Sequence, residues 1–320
     1  MEGICAENQN INIQSTDEAG TVNAAYPWLN WFVNDFIKKP GQHMIELGKT
    51  GTGKTQFFYW LVDMFRHYAP YESLVWFDIG KGQYDPFTKQ SGNELLTLLY
   101  YFGDVRIITL EGTKIHIDSD KHLGDVEEVF IPQTNLGMIW KYIKPDKLNI
   151  ISIDPFIEDD IVYADIISQI FTRLIFLANR GMVYRPMTIF YDEFHNVCPA
   201  GGMSAAGSRK AAFTQNKVNG LMKKNIQKLR STGIRFIGTS HQWTQLYKPV
   251  RMSFEWICVR RGVQFSRDEG GLAAFNPRWR KMETKQAYIV IPTGDHIGPF
   301  DCIYYKTPKG LGTLEYEGII

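Results

Sequence analysis

Apolar positions follow two rhythms along this chain. Short, nearly continuous runs occur at His43–Leu47, Leu74–Ile79, Val105–Leu110, Asn149–Ile153, Met187–Tyr191, Ile234–Thr239, Glu255–Val259, Gln286–Ile291 and Cys302–Tyr305. Runs of that length, bounded by turn residues, predict strands. Helical spacing appears in Tyr26–Ile37, where Trp28, Trp31, Phe32 and Phe36 share a face, and again in Thr55–Phe65 and Ile161–Leu177. It returns in Val218–Leu229, with Val218, Met222, Ile226 and Leu229 on one side. Strands and helices alternate as far as Thr239, and the later strands follow with few helices between them. That order predicts an α/β fold with a mainly parallel central sheet, helices on its faces and an antiparallel extension. Residues 1–24 read as a flexible N-terminal arm and residues 25–320 as a single domain, with Gly201–Gly207 its most loop-like interior stretch.

Composition narrows the class. With 44% apolar and 22% charged residues over 320 positions, the chain is a folded globular protein, and disordered, collagen-like and coiled-coil classes are excluded. Cys5, Cys198, Cys258 and Cys302 form no CxxC pair, so a reducing compartment is expected. The seven histidines show neither HExxH nor paired helical spacing, so no protein-ligated transition metal is expected. The polar, acidic N-terminus lacks a signal-peptide pattern. No run of 18 apolar residues occurs, and Ile161–Leu177 is interrupted by Asp165, Gln169 and Arg173. The expectation is a cytoplasmic protein without a transmembrane segment.

The net charge of +1 conceals a sharp asymmetry. Residues 194–254 contain no Asp or Glu. They hold Arg209, Lys210, Lys217, Lys223, Lys224, Lys228, Arg230, Arg235, Lys248 and Arg251, leaving 25 basic and 34 acidic groups elsewhere. A cationic block in an otherwise acidic chain points to a polyanion, and a solvated lysine face is the plainer alternative.

The sharpest chemical signal is Gly48-Lys49-Thr50-Gly51-Thr52-Gly53-Lys54-Thr55, which matches GxxxxGK[ST] between a strand and a helix. Glycines let backbone N–H groups converge on phosphate, and the helix aims its positive end at the same anion. Lys54 would reach the β- and γ-phosphates, and Thr55 would offer its hydroxyl to Mg²⁺. No NKxD guanine-reading motif is present, which favours ATP. The run Thr188–Tyr191 ends in Asp192-Glu193, at a strand end where ligands of parallel sheets sit. Asp192 would hold Mg²⁺ through water, and Glu193 would act as general base. Gln242, with His241 behind it, ends the next strand and would contact the γ-phosphate or the attacking water. Candidates for an arginine finger are Arg230, Arg235, Arg260 and Arg261.

In that order, GKTGTGKT, IFYDEFHN and KLRSTGIRFIGTSHQW resemble the HerA/FtsK-type ATPases, over roughly residues 40–300. Asp192-Glu193-Phe194-His195 is similar to the family's Asp-Glu-Ala-His. Leu74–Asp78 with Gly80-Lys81-Gly82 resembles its second core strand and turn. The resemblance implies a RecA-like P-loop ATPase acting as a ring, with six subunits usual, that uses ATP and Mg²⁺ to move double-stranded DNA. Arg230 matches the trans-acting arginine by position. His241 stands where the family more often has a small residue or Thr. A bare motor of this size resembles the viral or plasmid genome-packaging branch, with a location in host cytoplasm or virion and a capsid or membrane-associated partner. Arg209, Lys210, Lys217, Lys223 and Lys224 would then grip DNA phosphates. Competing readings are a secretion, pilus-assembly or conjugation-coupling ATPase acting on protein, a small-molecule P-loop kinase, and a nucleotide switch.

Overall fold

The computed structural model describes residues 27–85, 90–201 and 209–319. The expected arm at 1–24 and most of the Gly201–Gly207 loop lie outside the described residues. The chain runs through helix α1 (Pro27–Phe32), strand β1 (Met44–Leu47), α2 (Lys54–Tyr68), β2 (Ser73–Asp78), the hairpin β3 (Gly82–Asp85) and β4 (Gln90–Asn93), and α3 (Glu94–Phe102). Strands β5 (Val105–Leu110), β6 (Lys114–Asp118), β7 (Val126–Ile131) and β8 (Leu148–Ser152) precede α4 (Asp160–Asn179). Then come β9 (Met187–Tyr191), α5 (Arg209–Ser231), β10 (Ile234–Ser240), β11 (Trp256–Arg260), β12 (Gln286–Val290), β13 (His296–Asp301) and β14 (Thr313–Glu317).

Ten strands form one sheet in the order β13-β12-β11-β1-β10-β9-β2-β8-β5-β7. All pairings are parallel except those of β12 with β11 and with β13, which are antiparallel and close one edge. The central strands are buried at every position because helices cover both faces, which is why they read as unbroken apolar runs. Successive residues still alternate sides. Val75 and Phe77 join the core under α4 and α5, whereas Leu74 and Trp76 join the core under α1, α2 and α3. On that second face Trp76 stacks between Tyr59 and Phe190, and Trp256 sits against Trp31, Phe32 and Phe36.

The order β11-β1-β10-β9-β2 inserts β10 between the strand before the glycine loop and the strand before Asp192. This is the RecA-like P-loop arrangement, as expected from the motif order. Helix α4 is long and apolar enough to cross a membrane, with mean hydropathy 1.6. Its Ile166, Ile167, Ile170, Phe171 and Leu174 are instead packed in the core against the sheet.

One expected strand is misplaced. Residues 302–305 leave the sheet, and the edge strand is β13, His296–Asp301. Pro299 and the polar residues of that segment mask it, and proline is tolerated at an edge. The apolar character of Cys302–Tyr305 has another cause: Tyr305 packs on Tyr59, and its N–H donates to Gln56 Oε1 at 2.5 Å. Helix α5 also begins well before Val218. Helix α3 went unread although Asn93 caps it, its Oδ1 accepting from Leu95 N at 2.8 Å.

Candidate functional site

Parallel pairing brings four strand ends to one edge of the sheet. Leu47 pairs with Ser240, Tyr191 with Gly238, and Phe77 with Tyr191. The segments leaving these strands therefore meet in space: Gly48–Thr55, His241-Gln242, Asp192-Glu193 and Asp78–Lys81.

The glycine loop has the backbone its sequence requires. Gly51 and Gly53 adopt φ of 77° and 87°, the left-handed region that glycine enters without strain. A Cβ at Gly48 would lie 2.5 Å from Thr52 Oγ1 and 2.7 Å from Arg260 Cβ. Lys49 and Thr50 are exposed, and Thr52 Oγ1 donates to Lys49 O at 2.7 Å. Lys54 is buried; its Nζ donates to Gly48 O at 2.9 Å and lies 3.4 Å from His241 Nδ1. Burial lowers its pKa, with Asp192 opposing.

The acidic pair is tightly arranged. Thr55 Oγ1 donates to Asp192 Oδ2 at 3.4 Å, and Lys81 Nζ donates to the same oxygen at 2.8 Å. Thr239 Oγ1 donates to Asp192 Oδ1 and accepts from Glu193 N, the latter at 2.8 Å. Burial would raise the Asp192 carboxyl, but Lys81, Thr239 and Lys54 hold it below its usual range. Glu193 has φ of 52°, an unfavourable value for a side chain with a Cβ, of the kind that clusters at functional sites. That turn holds its carboxylate half-buried, 3.6 Å from Lys81 Nζ and 3.7 Å from His241 Nε2.

Several participants were invisible in the sequence. Lys81 is the counter-ion of both acids; burial disfavours its charge, yet Asp192, Glu94 and Glu193 raise its pKa overall. Its turn is fixed by Asp78, which accepts from Gly80 N at 3.0 Å, Ser152 Oγ at 2.6 Å and Tyr316 OH at 2.9 Å. Glu94, at the start of α3, is buried with Oε1 unpartnered; its pKa is raised by burial first and Asp192 second. A Thr55 hydroxyl, an ionised Asp192 and this spare buried carboxyl oxygen form an oxygen-rich set that suits Mg²⁺. His241, not Gln242, faces Lys54 and Glu193. Gln242 is exposed, and its N–H donates to Gln245 Oε1 at 3.0 Å in a small cap.

The four arginine candidates separate. Arg235 is buried and paired with Glu72 at 3.1 Å, over the rings of Phe36 and Phe65. Arg260 is buried beneath the glycine loop, bonded to Glu46 Oε1 at 2.6 Å and Gly53 O at 3.2 Å. Arg230 pairs with Glu255 and precedes β10, so it sits at the opposite edge of the sheet from Lys54. The seven residues of β10 put those edges roughly 20 Å apart. Arg230 therefore does not reach the site of its own chain, and the contact expected of it is one with a neighbouring subunit. Arg261 is exposed beside the loop, 3.4 Å from Thr284 Oγ1.

The cationic block is smaller than its sequence count. Arg235 and Arg251 are buried in ion pairs, and Lys217 lies 3.8 Å from Asp165. Lys223, Lys224 and Lys228 are exposed on α5. Lys217, Lys224 and Lys228 line a groove of about 440 Å³ between α4 and α5, with Ser168 and Thr172 on the other wall. The side chains of Arg209 and Lys210 lie outside the described residues.

A second cavity, of about 590 Å³, adjoins the site and is lined by Asp154, Glu158, Asp159, Asp160 and His195. The Asp154 carboxyl is pushed up to about 7 by burial, then by Asp78 and Glu193. Unfolded, it ionises near 3.8, so the stability its protonation supplies is complete below that pH and is lost as pH rises through 7. Asp154→Asn is expected to be nearly neutral at pH 4 and stabilising by roughly 1–3 kcal/mol at pH 8. Urea unfolding at both values checks this, and an equal effect at the two pH values would refute it.

No family model matches the chain, and no curated protein does. Among solved structures, it is similar to the genome packaging NTPase B204 from Sulfolobus turreted icosahedral virus 2 in complex with AMPPCP. That match has 12% identity and TM-score 0.46, covering 82% of this chain and 98% of that one. It is similar to the pCW3 conjugation coupling protein TcpA at 11% identity and TM-score 0.45, covering 85% and 62%. A third similar structure is EccC (ATPases 2 and 3) of Thermomonospora curvata, at 10% identity and TM-score 0.41, covering 81% and 38%.

Proposed function

We propose that this chain is an ATPase that moves double-stranded DNA through a ring of its own copies, with six subunits the expected number. The observation that carries the reading is the convergence of Lys54, Thr55, Asp192 and Glu193 on one edge of the sheet. The backbone of Gly48–Gly53 and the Lys54 ammonium would cradle the β- and γ-phosphates. Thr55 and Asp192 would hold Mg²⁺, which when bound offsets phosphate charge. Glu193 would take the proton of a water whose oxygen bonds to the γ-phosphorus as the β–γ bridging oxygen leaves. His241 would move with the phosphate that Lys54 holds, and β10 would carry that shift towards α5.

The exposed lysines of α5 support a phosphate-backbone partner over a sequence-reading one. Arg230, paired in this chain, belongs to the proposal only as a residue offered to a neighbouring subunit. A cytoplasmic or virion-associated setting, with a capsid or membrane-associated partner, fits the packaging form of the proposal.

The test is steady-state ATP hydrolysis with and without duplex DNA, with Lys54→Ala as the blank. Several-fold stimulation is expected. If about three lysines contact phosphate, apparent DNA affinity should fall on the order of 30- to 100-fold between about 50 and 200 mM salt. Hydrolysis indifferent to DNA would sink the DNA reading and favour a motor acting on protein.

A further inference from the structure

Two of the seven histidines meet in the fold. His195 lies in the turn after β9, and His241 directly follows β10; their ring centroids are 5.3 Å apart. Glu193 completes the group, with potential ligand atoms of all three residues within 4.8 Å of one another. His195 Nδ1 is buried without a hydrogen-bond partner. His241 Nε2 already faces Glu193 Oε1 at 3.7 Å. All three side chains are half-buried, and His195 opens onto the acidic cavity, whose Asp159 and Asp160 would draw cations inward.

We propose that Glu193, His195 and His241 form a site for a divalent transition metal such as Zn²⁺ or Co²⁺, separate from the Thr55–Asp192 oxygen set. Two imidazoles and one carboxylate match the nitrogen-rich preference of these ions and not that of Mg²⁺. Three protein ligands leave a position for water. Ligand bonds near 2.0–2.2 Å place donor atoms about 3.3–3.5 Å apart, so closure needs only side-chain rotation of about an ångström. Lys54 Nζ donates towards His241 Nδ1, which leaves the ring proton on Nε2. Metal binding at Nε2 would shift that proton to Nδ1, giving up the Lys54 contact there, and Lys54 would retain Gly48 O as its partner. Occupancy would also withhold the Glu193 carboxylate from water; this part rests on the proposed hydrolysis.

The metal site is read without hydrolysis. Chelator-treated full chain is titrated with CoCl₂ while visible absorption is followed. One equivalent per chain is expected, with binding at least about tenfold weaker in both His195→Ala and His241→Ala. Thermal unfolding shows that each variant is folded, and His195→Gln or His241→Gln replaces the alanine variant at that position if it is not. Undiminished cobalt binding in either folded histidine variant would overturn the site. Separately, Zn²⁺ should inhibit ATP turnover in excess Mg²⁺. Inhibition that persists unchanged in His195→Ala would overturn the claim that occupancy withholds Glu193. Failure of hydrolysis altogether would remove the proposed function and leave the cobalt result standing.

Discussion

Replacing Glu193 by Gln is expected to lower ATP turnover by about 10²–10⁴-fold while nucleotide affinity stays within a few-fold. The asymmetry follows from where its contacts lie. In the proposed function phosphate binding falls to the glycine loop and Lys54, and Asp192 is held by Thr55, Thr239 and Lys81 without help from the Glu193 side chain. The Glu193 backbone N–H donates to Thr239 Oγ1 whatever its side chain, so the strained turn survives the change. The amide keeps the size of the carboxylate and cannot accept the water proton. Single-turnover hydrolysis and binding of a fluorescent ATP analogue separate the two quantities. A variant retaining more than a tenth of wild-type turnover would mean that another group activates the water, with His241 the first to examine.

Replacing Arg260 by Met should cost about 3–5 kcal/mol, the penalty for leaving a buried partner charge uncompensated. Arg260 Nε bonds Glu46 at 2.6 Å, one terminal nitrogen meets Cys302 Sγ at 2.7 Å, and the other donates to Gly53 O at 3.2 Å. Glu46 is fully buried with Oε2 unpartnered, and burial already pushes its carboxyl up to about 7 against the pull of Arg260. For a chain of 320 residues that cost amounts to a melting point roughly 5–8 °C lower. Nucleotide affinity should fall too, because Gly53 loses its anchor at the start of α2. Adding Glu46→Gln to Arg260→Met should recover part of the stability. An unchanged melting point with lost turnover would instead make Arg260 a group that acts on nucleotide, as an arginine finger would.

How much of this was legible depended on whether the chemistry was contiguous in the chain. The loop from Gly48 to Thr55 could be read because its shape lies in consecutive backbone: two left-handed glycines, then Lys and Thr on the first turn of a helix. The strands of the parallel sheet could be read because burial on both faces makes them wholly apolar. Asp192-Glu193 could be read because both acids end such a strand. Elements burying one face or none were missed, as with β6 and β14, whose positions alternate between exposed and covered.

Charge was the least legible property. Ten cations without an acid between residues 194 and 254 looked like one surface. Folding sent Arg235 and Arg251 inside to meet Glu72 and Glu269, which lie outside that segment. A sequence count cannot register such pairing, because the partner is chosen by strand register and not by spacing along the chain.

The sequence by itself therefore determined the backbone of the glycine loop, the acidic strand end and the α/β class, each a matter of local backbone preference or of hydrophobic pattern. Only the tertiary structure decided that Lys81 would neutralise Asp192, that Glu94 would stand beside Thr55, and that His241 would face Glu193 in place of Gln242. It also decided that His195 and His241 would meet. Both follow strands that are immediate neighbours in the sheet, and the pairing of β9 with β10 brings together residues that the chain holds far apart.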